Sequence, residues 1–164
     1  MSAAFDTRAV LAAVAARIKA TVTGVEVGLT PERASSWRLN HPRAALLVDY
    51  RGSRYGQPQR MGLVAQPRTV QLGVNVVART LNDAYGAVAL VDAVRAALLG
   101  WTPPHCKALA AASDRFVAEE GGLWFYEIVF EAETLAIEDR ESAALPVLTR
   151  GHADYGFETE DITP

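Results

Sequence analysis

His105 and Cys106 stand side by side, and they are the pair of side chains in this chain most suited to hold a soft metal ion. Zinc needs three or four such ligands converging on one point. Two adjacent residues cannot supply them, and no second Cys/His cluster lies nearby at ligand spacing. His41 and His152 are the remaining imidazoles, and acid–base work on any of them needs a carboxylate such as Asp49, Asp92, Glu119 or Glu120 brought alongside. His41 precedes Pro42 and fits the close of a turn, while Cys106 fits a small apolar filler after a helix end. There is no glycine-rich phosphate loop, no Gly-x-Ser-x-Gly elbow and no His-Glu-x-x-His. The expectation is a protein that is not an enzyme, with no catalytic residue, cofactor or metal.

A different chemistry is concentrated in Arg51-Gly52-Ser53-Arg54-Tyr55-Gly56-Gln57-Pro58-Gln59-Arg60-Met61-Gly62. Arginine and tyrosine combine large contact area with hydrogen-bonding heads, which suits a protein surface rather than a reaction. The segment reads as a polar loop at the tip of a hairpin, with Arg51, Ser53, Arg54, Tyr55, Gln57 and Arg60 as interface residues. A plain solvated loop is the alternative. Glu119 and Glu120, or an acidic tail, are the candidate complementary surface. Trp124, Tyr126 and Phe130 could imitate a base-stacking platform, but in a net acidic chain with strand periodicity they fit a core better.

The elements that must position these residues follow from periodicity. The chain has 164 residues, half of them apolar, enough for one domain and one sheet-based core. Asp6 or Thr7 caps a first helix carrying Val10, Val14 and Ile18 at helical spacing. Val25 and Val27 suggest a short strand, and Ala44, Leu46, Val48 and Tyr50 a strand leaving the core. Val70, Leu72, Val74 and Val76 alternate as a half-buried strand, antiparallel to its predecessor. Leu81-Asn82-Asp83 reads as the cap of a second helix that carries Val88, Val91, Val94 and Leu98 and ends at Gly100, stopped by Thr102-Pro103-Pro104. Leu109 to Glu119 and Leu123 to Thr134 form a hairpin about Glu119-Glu120-Gly121-Gly122. The order α-β-β-β-α-β-β predicts an α+β two-layer sandwich, a mainly antiparallel sheet with both helices on one face. The single domain spans residues 1–136, and 137–164 is an acidic C-terminal tail or arm.

A net charge of −3 and a pI near 5.6 argue against a general nucleic-acid coat. One cysteine fits a reducing compartment. Ala9 to Ala20 is broken by Arg17 and Lys19 and reads as no signal peptide. No stretch approaches the roughly 20 apolar residues of a membrane span. A soluble protein assembled in a cytoplasm is expected.

Several segments in order resemble the Mu-like phage tail terminator family. They are Asn40-His41-Pro42-Arg43-Ala44 leading into Leu46-Leu47-Val48-Asp49-Tyr50, the Arg51-to-Gly56 segment, and Gln66-Pro67-Arg68 before the alternating strand. Val76-Val77-Ala78-Arg79-Thr80-Leu81, the run Gly86 to Leu98, Gly100-Trp101-Thr102-Pro103-Pro104 and Glu119-Glu120-Gly121-Gly122-Leu123-Trp124-Phe125-Tyr126-Glu127 continue it. The resemblance covers nearly all of residues 6–136. It implies a virion structural protein of the neck region, assembled in the host cytoplasm. Such a protein forms a homo-oligomeric ring, most often a hexamer, that caps the head-proximal end of the tail tube. Its implied partners are the tail tube protein, the head–tail connector or neck protein, and the sheath where the tail contracts. No membrane or specific nucleic-acid contact is implied, although DNA would pass through the lumen. The competing readings are another neck or tail-completion protein, and a small enzyme or ligand-binding domain using His41 or His105-Cys106.

Overall fold

Asp6 accepts a hydrogen bond from the Arg8 amide at 2.8 Å and caps helix α1 (Thr7–Thr21), as its carboxylate and position predict. The structure is a computed structural model and describes residues 5–60 and 62–139. Val10, Val14 and Ile18, one turn apart, are buried along one side of α1. Helix α2 (Ala87–Leu98) buries Leu90, Val91, Val94, Ala97 and Leu98. Its start differs from the expected Leu81-Asn82-Asp83 cap. Gly86 is the N-cap, because Asp83 is already used in a turn: its carboxylate accepts from the Tyr85 amide at 3.0 Å and its carbonyl from the Gly86 amide at 3.0 Å. The Arg17 side chain joins the helices by donating to the Ala97 carbonyl at 3.1 Å.

Six strands follow the sequence as β1 (Glu26–Leu29), β2 (Ala44–Tyr55), β3 (Gln59–Arg60), β4 (Val64–Ala78), β5 (Ala110–Glu120) and β6 (Leu123–Ile137). They form one sheet of order β1-β2-β4-β6-β5, with β3 beside the first residues of β4. β1 is parallel to β2, and every other pairing is antiparallel. The α+β sandwich with both helices on one sheet face therefore stands, with the two-residue β3 added to the expected order. Glu120 pairs Leu123 across Gly121 (φ 58°) and Gly122 (φ 78°), a two-residue turn whose positive φ values only glycine adopts readily.

The main core lies between the sheet and the helices. It takes Leu46 and Val48 from β2, Val70, Leu72, Val74 and Val76 from β4, and Ile128, Phe130 and Ala132 from β6. Trp124 and Tyr126 pack against it half-buried, so these aromatics serve the core as expected. The opposite, outer face carries a second, smaller cluster at one end. There Leu39, Ala45, Leu47 and Val77 are covered by Trp37, Leu123 and Phe125. The segment joining β1 to β2, with a 3-10 turn at Ala34–Ser36, contributes Trp37 and Leu39 to it.

The expected loop from Arg51 to Gly62 is largely strand. β2 continues to Tyr55, and its register with β4 shifts between Tyr50 and Gly52. This bulge interrupts the alternation that marks a strand, so a polar, glycine-containing stretch imitates a loop. β4 begins at Val64, five residues before the alternation becomes clear, because Pro67 reads as a strand breaker. Of the tail expected over residues 137–164, Ile137 ends β6, and everything from residue 140 on, including Leu145, Val147, Leu148, His152, Tyr155 and Phe157, lies outside the described residues. No described helix is long and apolar enough to cross a membrane.

Candidate functional site

Beyond the small apolar cluster, the outer face becomes polar, and its side chains are cross-linked across four strands. Asp49 on β2 accepts from Arg51 Nε at 2.7 Å. Arg51 extends over β4, donating to Asn75 Oδ1 at 2.9 Å and reaching Glu127 Oε2 on β6 at 2.8 Å. Asn75 Nδ2 in turn donates to Asp49 Oδ2 at 2.9 Å. Arg115 on β5 completes the ladder by pairing with Glu127 Oε1 at 3.3 Å. The crossing requires an empty position beneath it. A Cβ added at Gly73 would sit 2.4 Å from Arg51 Nε and 2.5 Å from Asp49 Oδ1. Glu127, only 9 % exposed, is the buried charged residue among those described, and it is held by two arginines.

The bulge after Tyr50 resets the alternation of β2. Arg54, paired with Thr69, then returns to the same outer face as Arg51. Arg54 binds Glu131 at 2.7 Å, and Gln71 donates to the same carboxylate oxygen at 2.8 Å. Ser53 and Tyr55 fall on the helix side of the sheet. Ser53 Oγ lies 2.9 Å from the Tyr50 hydroxyl and accepts from Arg68 Nε at 2.9 Å. Those bonds, Ser53 first and Arg68 second, hold the Tyr50 hydroxyl below its ordinary value near 10.0. The Arg68 guanidinium also lies over Phe5 and Tyr55, at 4.6 and 5.8 Å from the ring centres. Tyr55, Gln57 and Arg60 are exposed. Six residues chosen as one contact loop thus divide between both sheet faces and the tip, and Arg51 and Arg54 already have carboxylate partners within the chain.

Glu119 and Glu120 lie at the other end of the sheet. Ala44, Ala78, Trp124 and Glu119 form one row across β2, β4, β6 and β5. Arg43 precedes Ala44 and Arg79 follows Ala78, and the Arg79 amide donates to the Arg43 carbonyl at 3.0 Å. One rim is therefore basic on its β2/β4 side and acidic at the β5 edge. The Arg43 guanidinium lies 3.9 Å from the centre of the Tyr85 ring. Pro42, Arg43, Arg79, Thr80, Asp83 and Tyr85 enclose a hollow of about 220 Å³. Arg79 is fixed by donating to the His41 and Leu39 carbonyls at 3.1 and 3.0 Å. At the acidic edge Glu119 accepts from the Gly122 amide at 3.0 Å, and Phe116 and Val117, beside the second bulge of β5, are 51 % and 48 % exposed.

The residues first weighed for chemistry are apart. His41 Nδ1 accepts from the Arg43 amide at 3.1 Å and closes the turn into β2, as expected of a residue before proline. His105 has φ 58°, and its carbonyl accepts from Thr134 Oγ1 at 2.6 Å, so it shapes the turn before β5. Cys106 is half-buried against the core, and burial pushes its thiol up from 9.0. Among the described residues no group of three or more His, Cys, Asp and Glu is placed to hold a metal. The residues that sequence reading passed over are Gly73, Asn75, Arg115, Glu127 and Glu131 on the outer face, and Arg43, Arg79 and Tyr85 at the rim. Glu127 and Glu131 gave a signal, as charges spaced along an otherwise apolar side of a strand; the rim needs the strand register to be seen.

Residues 14–155 match the profile of a family described as Gp37 protein, a phage-related family. No curated protein matches the chain.

Proposed function

The chain belongs to the Gp37 protein family, and from that premise we propose that it is a structural protein of a phage virion, the terminator of its tail tube. In this reading copies of the chain form a ring, most often a hexamer, on the head-proximal end of the tube. The ring stops polymerisation and presents a surface to the head connector or neck, with the sheath as a further neighbour where the tail contracts. It works without catalysis or cofactor, and DNA passes through its lumen. The match to one phage-related family over most of the chain carries the reading, supported by the ordered segments between Asn40 and Glu127 that resemble tail terminators. The distribution of contact chemistry agrees with it. A ring needs unlike patches that meet head to tail, and this molecule carries an aromatic and arginine-bearing tip at one end and a rim of two opposite charges at the other.

Growing tail tubes mixed with the purified protein test the proposal. Capped ends seen by negative stain, with elongation halted, are the expected outcome. Tubes that lengthen unchanged and carry no added density at either end would overturn it. Charge reversal at the exposed Arg60 separates tip from rim, since loss of capping with rings intact assigns the tip to the tube rather than to a neighbouring copy.

A further inference from the structure

We propose that the Arg43–Tyr85 hollow is a socket for the Glu119–Glu120 turn of a second copy of this chain, which makes it the head-to-tail contact of the ring. The inference rests on the ring reading above and assigns its interface. Socket and turn are chemically complementary. The hollow presents two guanidiniums, Arg43 and Arg79, neither in an ion pair within the described residues, and an aromatic wall from Tyr85. Its one acid, Asp83, has a carboxylate oxygen occupied by the Tyr85 amide. The turn presents two carboxylates one residue beyond the exposed apolar pair Phe116 and Val117, with one Glu119 oxygen accepting from the Gly122 amide and the other open. The hollow, at about 220 Å³, has room for one side chain of glutamate size.

Among the described residues no hydrogen bond or ion pair joins the two patches of one molecule. They share a row of the sheet but stand on β2/β4 and on β5, and β2 is three strand spacings, about 14 Å, from β5. A turn from another copy would fill the hollow, and because donor and acceptor patches differ the contact is heterologous, the kind that closes into a ring where its rotation permits. Arg51 and Arg54 are excluded as the partners of this turn, since Asp49, Glu127 and Glu131 already neutralise them. Arginine beside an aromatic wall, facing carboxylates with an apolar anchor alongside, has the composition of an interface hot spot.

The test measures assembly of the full chain by native mass and sedimentation, with melting followed by circular dichroism. E119K/E120K and R43E/R79E are each expected to weaken self-association by about tenfold or more through like-charge contact. A chain carrying all four changes is expected to assemble again, which a merely misfolded variant cannot do. Mixing E119A/E120A with R43A/R79A is expected to give a 1:1 dimer that grows no further, since only one good joint exists in the pair. Because Arg79 holds the Leu39 and His41 carbonyls, R43E alone serves as the socket variant if the double change melts early. Rings that form unaltered in E119K/E120K overturn this contact while leaving the terminator reading intact. A wild-type chain that forms no ring, in solution or on tube ends, overturns both.

Discussion

Arg51 meets Glu127 across an intervening strand, its guanidinium 2.8 Å from the carboxylate and its stem lying where the side chain of residue 73 would stand. The pair joins β2 to β6 directly, although the two strands are not neighbours in the sheet. Removing the arginine leaves Glu127, a residue only 9 % exposed, with Arg115 alone. Arg51→Ala is expected to lower stability by about 1–3 kcal/mol, the cost of a buried group losing a charged partner. Urea unfolding midpoints check it.

Gly73 is the counterpart of that contact. Gly73→Val adds a residue that strands favour, yet its Cβ meets Arg51 Nε at 2.4 Å. The substitution is expected to displace Arg51 and destabilise by about 1–3 kcal/mol. In the Arg51→Ala background the same change is expected to cost less, because one of the two clashing groups is gone. A double-mutant cycle in urea measures the coupling.

His105 carries the one left-handed non-glycine backbone among the described residues, at φ 58°. Its imidazole is exposed, and the contact fixed there is made by its carbonyl with Thr134. His105→Gly is expected to stabilise the fold, by up to about 1 kcal/mol, through relief of that conformation. A fall in melting temperature would instead assign the ring a contact of its own.

Cys106 has its thiol pushed above the ordinary 9.0 by burial. The folded protein therefore holds less thiolate at pH 8 than a free cysteine does, and disulfide-exchange reagents are expected to label it slowly, with the rate still rising above pH 9. Unfolding in urea is expected to restore rapid labelling. Because the thiol is uncharged below its raised value, deprotonation at high pH opposes folding, and any effect of this group on stability appears only above pH 9. A time course of thiol titration with and without urea measures both.

Where side chains repeat at a fixed period, the fold was legible in the sequence. Val10, Val14 and Ile18 defined α1, and Val70 to Val76 defined the heart of β4. Asp6 capped its helix as its type predicts. The reading weakened wherever one feature broke the period. The bulge at Arg51 turned half of β2 into an apparent loop, and Pro67 concealed the start of β4. The α2 cap was displaced because Asp83 bonds two residues short of the helix. Residue type marks contact residues but cannot reveal that Arg51 and Arg54 are satisfied internally. That follows from register, which brings Glu127 and Glu131 within reach only after pairing is known. The rim of Arg43, Arg79 and Glu119 is a row across the sheet and has no signature in sequence spacing.

β4 and β6 each run for fifteen residues, past the helices to a tip bearing Leu135 and Ile137, both more than half exposed. Rim and tip are thus separated by a countable number of residues, and the separation changes only in quanta. Two residues added to each of β2, β4 and β6 move the tip outward by about 7 Å with every face preserved, whereas one residue added to each turns the outer ladder inward and the core outward. Length in this molecule has parity: an even insertion keeps every face, and an odd one has to be taken up in a bulge of the kind β2 carries at Arg51.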